Sequence, residues 1–137
     1  MKKNKFVLFL ATVTILFIGG CFSNVSASVH KGMPSIIYNQ KYRYKGMFGN
    51  YFYLSGNSKR ILFGGKVMGY KRFNVENYNY IKKYRTYLMS DNTFTSGKAD
   101  YIAIQKISRK QIYAEIGSYV KSRKKFIPTY EMYMQKY

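Results

Sequence analysis

Aromatic and basic residues alternate at three places in the chain. The segments are Tyr42-Arg-Tyr-Lys45, Tyr70-Lys-Arg-Phe73 and Tyr80-Ile-Lys-Lys-Tyr-Arg85. On a β-strand this pattern places aromatic rings on one face and cations on the other, or pairs them across neighbouring strands. Rings rimmed with cations suit sugars, phosphate-bearing glycopolymers and stacked bases. The alternative is that the tyrosines line the core while the cations are solvated.

These segments and the other charge clusters supply the candidate binding residues. The candidate anion-binding cations are Lys59, Arg60, Lys71, Arg72, Lys82, Lys83, Arg85, Arg123, Lys124 and Lys125. The candidate aromatic platform consists of Tyr42, Tyr44, Tyr70, Tyr80 and Tyr84. Whether the cations form a single patch depends on how the fold brings the clusters together.

The inventory of catalytic side chains is small. His30 is the one histidine and Cys21 the one cysteine, so a zinc site or a cysteine nucleophile has too few residues to form. General acid–base catalysis needs a histidine or a tuned carboxylate in a pocket. Glu76 with Asp91, or Asp100 with Glu115, could meet across strands, although ion pairing with the many cations is the alternative. We expect no enzyme, no catalytic residues, no metal and no cofactor.

Net charge narrows the class of partner. Three of the 24 basic residues precede residue 28, so residues 28–137 carry 21 basic and 5 acidic residues, a net charge of +16. Such a charge keeps a protein soluble and monomeric through self-repulsion and attracts polyanions at low salt. The expected partners are anionic cell-wall polymers or lipid headgroups. Nucleic acid is not expected, because the chain is predicted to leave the cytoplasm.

Residues 1–27 have the composition of an export signal. Lys2, Lys3 and Lys5 precede the uncharged apolar run 6–18, and small residues precede a predicted cut between Ala27 and Ser28. A membrane-spanning helix needs about 20 apolar residues, and this run is shorter. We therefore expect a cleaved signal helix, a mature chain without a transmembrane span, and a secreted or cell-surface location.

An alternative cleavage site for the signal lies before Cys21. The segment Ile18-Gly-Gly-Cys21 resembles the lipobox of bacterial lipoproteins, in which the cysteine is lipidated and becomes the new N-terminus. Lipidation at Cys21 would tether the protein to the membrane. Otherwise Cys21 is a small apolar residue of the signal. Both alternatives stay open at this point.

The remainder of the chain predicts a single β domain. Residues 28–40 form a leader, and 41–137 contain six to eight short strands separated by turn residues, with no amphipathic helix. The clearest hairpin joins 101–107 to 111–116, and 126–137 forms a last strand. The mature part has no cysteine, so no disulfide supports it. We expect an all-β fold, a small antiparallel barrel or sandwich built as a meander.

The segment Ser28-Val-His-Lys-Gly-Met-Pro-Ser35 resembles a short motif of small secreted proteins of lactic-acid bacteria. In those proteins an HKG-x-P leader opens a compact, lipocalin-like β domain, and Lys106-Ile-Ser-Arg-Lys-Gln-Ile112 resembles their hairpin motif. The family's tryptophan-containing element after the leader is replaced here by 36–42, which has no tryptophan. The resemblance implies a lipocalin-like fold and an exported protein, and it names no activity.

Three functions are compatible with these observations. The first is a non-enzymatic exported protein that binds anionic envelope polymers through its basic surface. The second is a lipocalin-like carrier of a small apolar ligand, which requires an interior cavity of about 300 Å³ or more. The third is a secreted cationic effector or inhibitor.

Overall fold

A computed structural model of the chain describes residues 27–91, 98–120 and 125–137. Two short 3₁₀ turns lie in these ranges, at Met47–Gly49 and Lys82–Tyr84. The described ranges also contain ten strands, which are β1 (Ala27–Lys31), β2 (Lys41–Lys45), β3 (Tyr51–Gly56), β4 (Arg60–Gly65), β5 (Gly69–Asn74), β6 (Asn77–Ile81), β7 (Thr86–Ser90), β8 (Lys98–Lys106), β9 (Gln111–Val120) and β10 (Lys125–Lys136). The predicted all-β fold is confirmed.

Several predictions concern residues outside the described ranges. These are the signal helix, Cys21, and the cations Arg123 and Lys124. The described ranges contain no helix with the length and apolarity needed to cross a membrane.

All ten strands belong to one antiparallel sheet in the order β1-β6-β7-β8-β9-β10-β2-β3-β4-β5. The sheet is open, with β1 and β5 at its edges. Successive strands pair as hairpins from β2 to β5 and again from β6 to β10. The two series are joined by β10 and β2, at the pairs Gln135–Arg43 and Lys136–Tyr42. We call β2–β5 the basic half and β6–β10 the carboxylate half.

The predicted hairpins are present, and the chain adds strands between them. The hairpin expected from 101–107 and 111–116 is β8–β9. The segment from Tyr78 to Met89 has a β-prone sequence that favours one long strand, but it forms two. The 3₁₀ turn at Lys82–Tyr84 and the left-handed conformation of Arg85 (φ 49°) reverse the chain between them. Residues expected to form a leader provide β1, which pairs with β6 at the sheet edge.

The main core lies on one side of the sheet, which we call the inner face. Alternate residues of the strands point into it, so that Leu54, Phe63 and Ile104 are completely buried. Val75 and Ile37, which lie between strands, complete the same cluster. The core therefore takes apolar side chains from both halves of the sheet.

The edge strand β5 lies against the end of the carboxylate half. Lys71 Nζ on β5 lies 2.8 Å from Asp100 Oδ2 on β8, and the Asn74 amide donates to Asp91 Oδ2 at 3.3 Å. Because β5 and β8 are far apart in the strand order, these contacts require the sheet to curl around its inner face. The curl buries the core while the opposite, outer face of β2–β5 turns towards solvent.

Candidate anion-binding surface

The sequence of β2 sets the direction of its side chains. Tyr42 points into the core, where it is 4% exposed and donates its hydroxyl hydrogen to the Ile36 carbonyl at 2.7 Å. Because side chains alternate along a strand, Lys41, Arg43 and Lys45 all point to the outer face. The alternating pattern of this segment thus separates cations from the buried tyrosine, as the sequence predicts.

Strand register aligns polar and basic residues across the outer face of the basic half. Lys41 lies opposite Ser55, Ser55 opposite Leu62, and Leu62 opposite Arg72. The row crosses four strands, and with strands about 4.8 Å apart it is about 14 Å long. Arg60 lies two residues before Leu62 on β4 and therefore belongs to the same face. This arrangement places Lys41, Arg60 and Arg72 around one stretch of surface.

The neighbouring row carries aromatic rings. Arg43 lies opposite Tyr53, Tyr53 opposite Gly64, and Gly64 opposite Tyr70. Gly64 has φ +153°, and a Cβ atom at this position would lie 2.1 Å from the Gly69 carbonyl oxygen. The hairpin therefore requires glycine here, which leaves no side chain between the two tyrosines. Tyr70 is 56% exposed.

Arg43 is held between two aromatic rings. Its guanidinium carbon lies 5.2 Å from the centre of the Tyr51 ring and 5.2 Å from that of Tyr137. The Tyr137 ring also packs edge-on against Tyr53, with centroids 5.9 Å apart. The Tyr137 amide donates to the Lys41 carbonyl at 3.2 Å. The last residue of the chain is thereby fixed beside the basic and aromatic rows.

An open groove of about 520 Å³ runs along the basic row. Its polar lining includes the amides Asn39, Gln40 and Asn57 as well as the three cations Lys41, Arg60 and Arg72. The Asn57 side-chain oxygen accepts hydrogen bonds from the backbone amides of Lys59 (2.9 Å) and Arg60 (2.8 Å), which fixes the β3–β4 turn. The groove thus combines cations with amide groups on a rigid hairpin.

The basic half carries no carboxylate. Residues 41–74 contain eight basic residues and no aspartate or glutamate. Within the described part of the chain, the side chains of Lys41, Arg60 and Arg72 form no ion pair and no hydrogen bond. Lys71 differs, because it points to the inner face and pairs with Asp100. The groove cations are therefore available to an external anion.

The predicted cations fall into separate groups. Lys59, Arg60 and Arg72 lie near the groove, whereas Lys71 is in an ion pair on the other side of the sheet. Lys82, Lys83 and Arg85 lie at the β6–β7 turn, and Lys125 begins β10. The described residues therefore do not gather all the predicted clusters into one patch. Lys41, Arg43 and Lys45 were not among the predicted residues, although their alternation with tyrosine indicates their exposure.

The predicted aromatic platform is also divided. Tyr42 is a core residue, Tyr44 packs on Phe52, and Tyr80 packs on Tyr87 with centroids 4.6 Å apart. Tyr84 lies near Lys83 at the β6–β7 turn. Tyr70 is the predicted member that lies on the outer face of β2–β5. The other rings there, Tyr51, Tyr53 and Tyr137, come from residues that the segment pattern did not single out.

The carboxylate half has a different polar cluster on its outer face. Tyr101 donates a hydrogen bond to Glu115 Oε1. Glu115 is 2% exposed, and burial raises the pKa of its carboxyl group, with a further rise from Glu131 and an opposing effect of the Tyr101 bond. The expected carboxylate pair of Asp100 and Glu115 does not form, because Asp100 points to the inner face and contacts Lys71 and Ser118. Glu115 instead lies opposite Glu131.

Comparison of the chain with protein-family models, curated proteins and solved structures finds no match. The resemblance to small secreted lipocalin-like proteins therefore stays a prediction. Within the described ranges, no group of three or more histidine, cysteine, aspartate or glutamate side chains is placed to hold a metal ion. The surface chemistry of β2–β5 is the feature from which a function can be argued.

Proposed function

We propose that this protein is exported, has no catalytic activity and binds anionic polymers of the cell envelope on the outer face of β2–β5. The observation that carries the proposal is the groove lined by Lys41, Arg60 and Arg72, which have no counter-ion in the described chain. Unpaired cations on one surface attract a polyanion, and their fixed positions on adjacent strands reduce the ordering required on binding.

The aromatic row supports a polymer that contains sugars or polyols. Tyr53 and Tyr70 flank Gly64 and present ring surface beside the cations. Aromatic faces pack against the apolar faces of sugar rings, while neighbouring cations contact phosphate or carboxylate groups. A row about 14 Å long can contact more than one anionic group of a polymer. Wall polymers of phosphate-linked polyols or sugars have both components.

The carrier hypothesis receives less support from the described residues. It requires a cavity inside the fold, whereas the inner face is filled by packed side chains, including Tyr42, Phe63 and Phe73. The 520 Å³ groove is open to solvent, and the cavity of about 200 Å³ that Tyr42 helps to line is smaller than such a ligand requires. No observation specifically favours an effector or inhibitor.

The experiment that tests the proposal is retention on purified cell walls over a range of salt concentrations. Wild-type protein is expected to bind at low salt and to dissociate as salt rises, because counterions compete with the cations. The triple variant Lys41→Gln, Arg60→Gln, Arg72→Gln should lose most of its retention. The slope of log K against log salt should become shallower by about one for each phosphate group that the variant no longer binds.

A matched variant separates the groove from net charge. Lys31→Gln, Lys82→Gln, Lys83→Gln removes the same three charges outside the basic half, and these three side chains are exposed or lie in a turn. It should retain near-wild-type binding if the groove is the site. Equal loss in both variants, or retention that does not change with salt, would contradict the proposal. Circular dichroism of each variant checks that the sheet is intact.

A further inference from the structure

A second basic site lies at the end of the core where β8 and β10 finish. Lys106 ends β8, Arg109 lies in the β8–β9 turn, and Lys136 ends β10. Backbone hydrogen bonds hold these ends together, since the Lys136 amide donates to the Lys110 carbonyl at 2.8 Å and the Lys106 amide donates to the Arg85 carbonyl at 3.2 Å. We call Lys106, Arg109, Lys136 and the cavity they line the basic mouth.

The cavity of the basic mouth has a volume of about 200 Å³. Its lining includes three residues with hydroxyl groups, Ser35, Ser108 and Tyr87, and the apolar residues Ile36 and Ile112. It therefore combines cations, hydroxyl donors and an apolar side in a space that suits a small molecule. The groove and the mouth share Gln40 in their linings but have no cation in common.

Neighbouring contacts fix the parts of the mouth that are not charged. The Tyr42 hydroxyl donates to the Ile36 carbonyl, which holds the segment carrying Ser35 against the core. The Tyr87 ring packs against Tyr80 and Tyr78, at centroid distances of 4.6 and 5.9 Å. Burial, with Tyr80 and Tyr78 nearby, raises the pKa of Tyr87, so its hydroxyl remains a hydrogen-bond donor. Contacts within the protein thus hold the uncharged side of the cavity in place.

The cations of the mouth have no protein counter-ion. In the part of the chain that the structure describes, the side chains of Lys106, Arg109 and Lys136 form no ion pair or hydrogen bond, and no carboxylate belongs to the cavity lining. Asp100 is six residues from Lys106 along β8, or about 20 Å. Three cations that line one cavity repel one another, and a bound anion of high charge reduces this repulsion.

We propose that the basic mouth binds a phosphate monoester, carried either by a small free molecule or by a lipid headgroup. A monoester carries a charge of about −1.5 to −2 at neutral pH and three acceptor oxygens, which match two lysines and the planar donor fork of arginine. A phosphodiester carries one negative charge and has two free oxygens. The site therefore selects monoesters, in contrast to the polymer groove, and it does not depend on the function proposed for that groove.

The test is calorimetric titration of the full mature chain with glycerol 3-phosphate and with dimethyl phosphate. Wild-type protein should bind the monoester about tenfold more tightly than the diester, because the second charge strengthens the contacts. Lys106→Gln, Arg109→Gln should weaken monoester binding about tenfold or more. Arg60→Gln, Arg72→Gln, which alters the groove, should leave it unchanged.

A second variant, without a charge change, tests the site in case the double variant misfolds. Tyr87→Phe retains the ring and its packing but removes one donor, and it should weaken monoester binding about threefold to tenfold. Vesicles of phosphatidylcholine with and without phosphatidic acid distinguish the source. Binding to phosphatidic acid that free glycerol 3-phosphate displaces indicates a headgroup, and binding of the free ester alone indicates a soluble ligand.

Three results would overturn the proposal. They are an equal affinity for monoester and diester, loss of binding in the groove variant but not in the mouth variant, and no detectable binding of glycerol 3-phosphate by a folded wild-type protein. Retention on cell walls is measured separately. The proposal for the mouth and the proposal for the groove can therefore be contradicted independently of each other.

Discussion

The outer faces of the two halves use tyrosine in opposite surroundings. On β2–β5, Tyr53 and Tyr70 lie beside cations, in a segment with no acidic residue, and Tyr70 is more than half exposed. On β8 and β9, Tyr101 and Tyr113 are buried and lie near carboxylates. The same side chain thus provides accessible ring surface in one half and, at Tyr101, a buried hydrogen bond to Glu115 in the other.

The reason for the difference is what each hydroxyl and ring contacts. Burial, followed by the bond to Glu115, raises the pKa of Tyr101, so this tyrosine remains a donor to the carboxyl group. Burial, followed by the nearby Glu131, raises the pKa of Tyr113 in the same direction. Around Arg43, by contrast, the ring faces of Tyr51 and Tyr137 make the contact. Substitution of these outer-face tyrosines should therefore affect stability in the carboxylate half and ligand binding in the basic half.

The largest expected effect concerns the glycine that allows the aromatic row to form. Gly64→Ala places a Cβ atom against the Gly69 carbonyl oxygen, so β4 and β5 must separate. We expect a loss of about 2–4 kcal/mol in the free energy of unfolding, measured by denaturant titration. Gly69→Ala is the matched control, because its φ is also positive (+77°) but nothing lies within 4 Å of the added atom. It should cost only about 1 kcal/mol, and equal losses would contradict the steric explanation.

The second effect compares one tyrosine hydroxyl from each half. Tyr101→Phe removes the donor to the buried Glu115, and the free energy of unfolding should fall by about 1–3 kcal/mol. Tyr53→Phe on the outer face of β3 should change it by less than about 0.5 kcal/mol. Both values come from denaturant titration at neutral pH. Similar losses in the two variants would mean that the halves do not differ in how they use tyrosine.

The third effect is the pH dependence of stability that Glu115 causes. Burial raises its pKa in the folded state above the ordinary value of 4.5, so the folded chain holds more protons than the unfolded chain between the two values. The free energy of unfolding therefore falls as pH rises through this window. Glu115→Gln keeps an oxygen acceptor for Tyr101 but cannot ionise, so it should be more stable than wild type above pH 4.5.

Thermal melts between pH 4 and pH 8 measure this gain. The advantage of Glu115→Gln should disappear at the acid end, where the wild-type carboxyl group is protonated in both states. Glu131→Gln, at the exposed cross-strand neighbour, is the control and should give a smaller change. A constant difference between Glu115→Gln and wild type at every pH would show that ionisation of Glu115 is not the cause.

Much of the fold, but only part of the candidate site, can be predicted from the sequence. Alternation along β2 predicts rings on one face and cations on the other, which is the arrangement found, although Tyr42 lies in the core and not on the predicted platform. The polar link 108–110 predicts the β8–β9 hairpin, and this prediction is confirmed. The ring of Tyr84 and the cations of 82–85 continue a strand-like pattern that the chain interrupts with a 3₁₀ turn. A strand-like pattern does not show where the chain reverses, because the β6–β7 pairing that accompanies the turn joins residues on both sides of it.

The spacing of residues along the sequence does not show which side chains lie next to each other across the sheet. The row from Lys41 to Arg72 depends on the register of three strand pairs, and the Arg43–Tyr137 contact joins residues 94 positions apart in the chain. The basic mouth likewise combines side chains from two strand ends and a turn. Each single segment shows a cation in a strand or turn, and only the sheet order brings the cations together.

The smallest expected effect tests the contact of Arg43 with the rings of Tyr51 and Tyr137 in the basic half. Arg43→Gln removes the guanidinium between Tyr51 and Tyr137, and the free energy of unfolding should fall by about 0.5–1 kcal/mol because the site is exposed. Arg43→Lys retains the charge but not the planar stacking group, so it should lose part of this stability. On cell walls the two variants should differ more clearly: Lys at position 43 preserves the salt dependence of retention, whereas Gln lowers it. If both variants lowered the salt dependence of retention equally, ring geometry rather than charge would determine polymer binding at this position. The basic half would then resemble the carboxylate half, because both would rely on fixed tyrosine contacts.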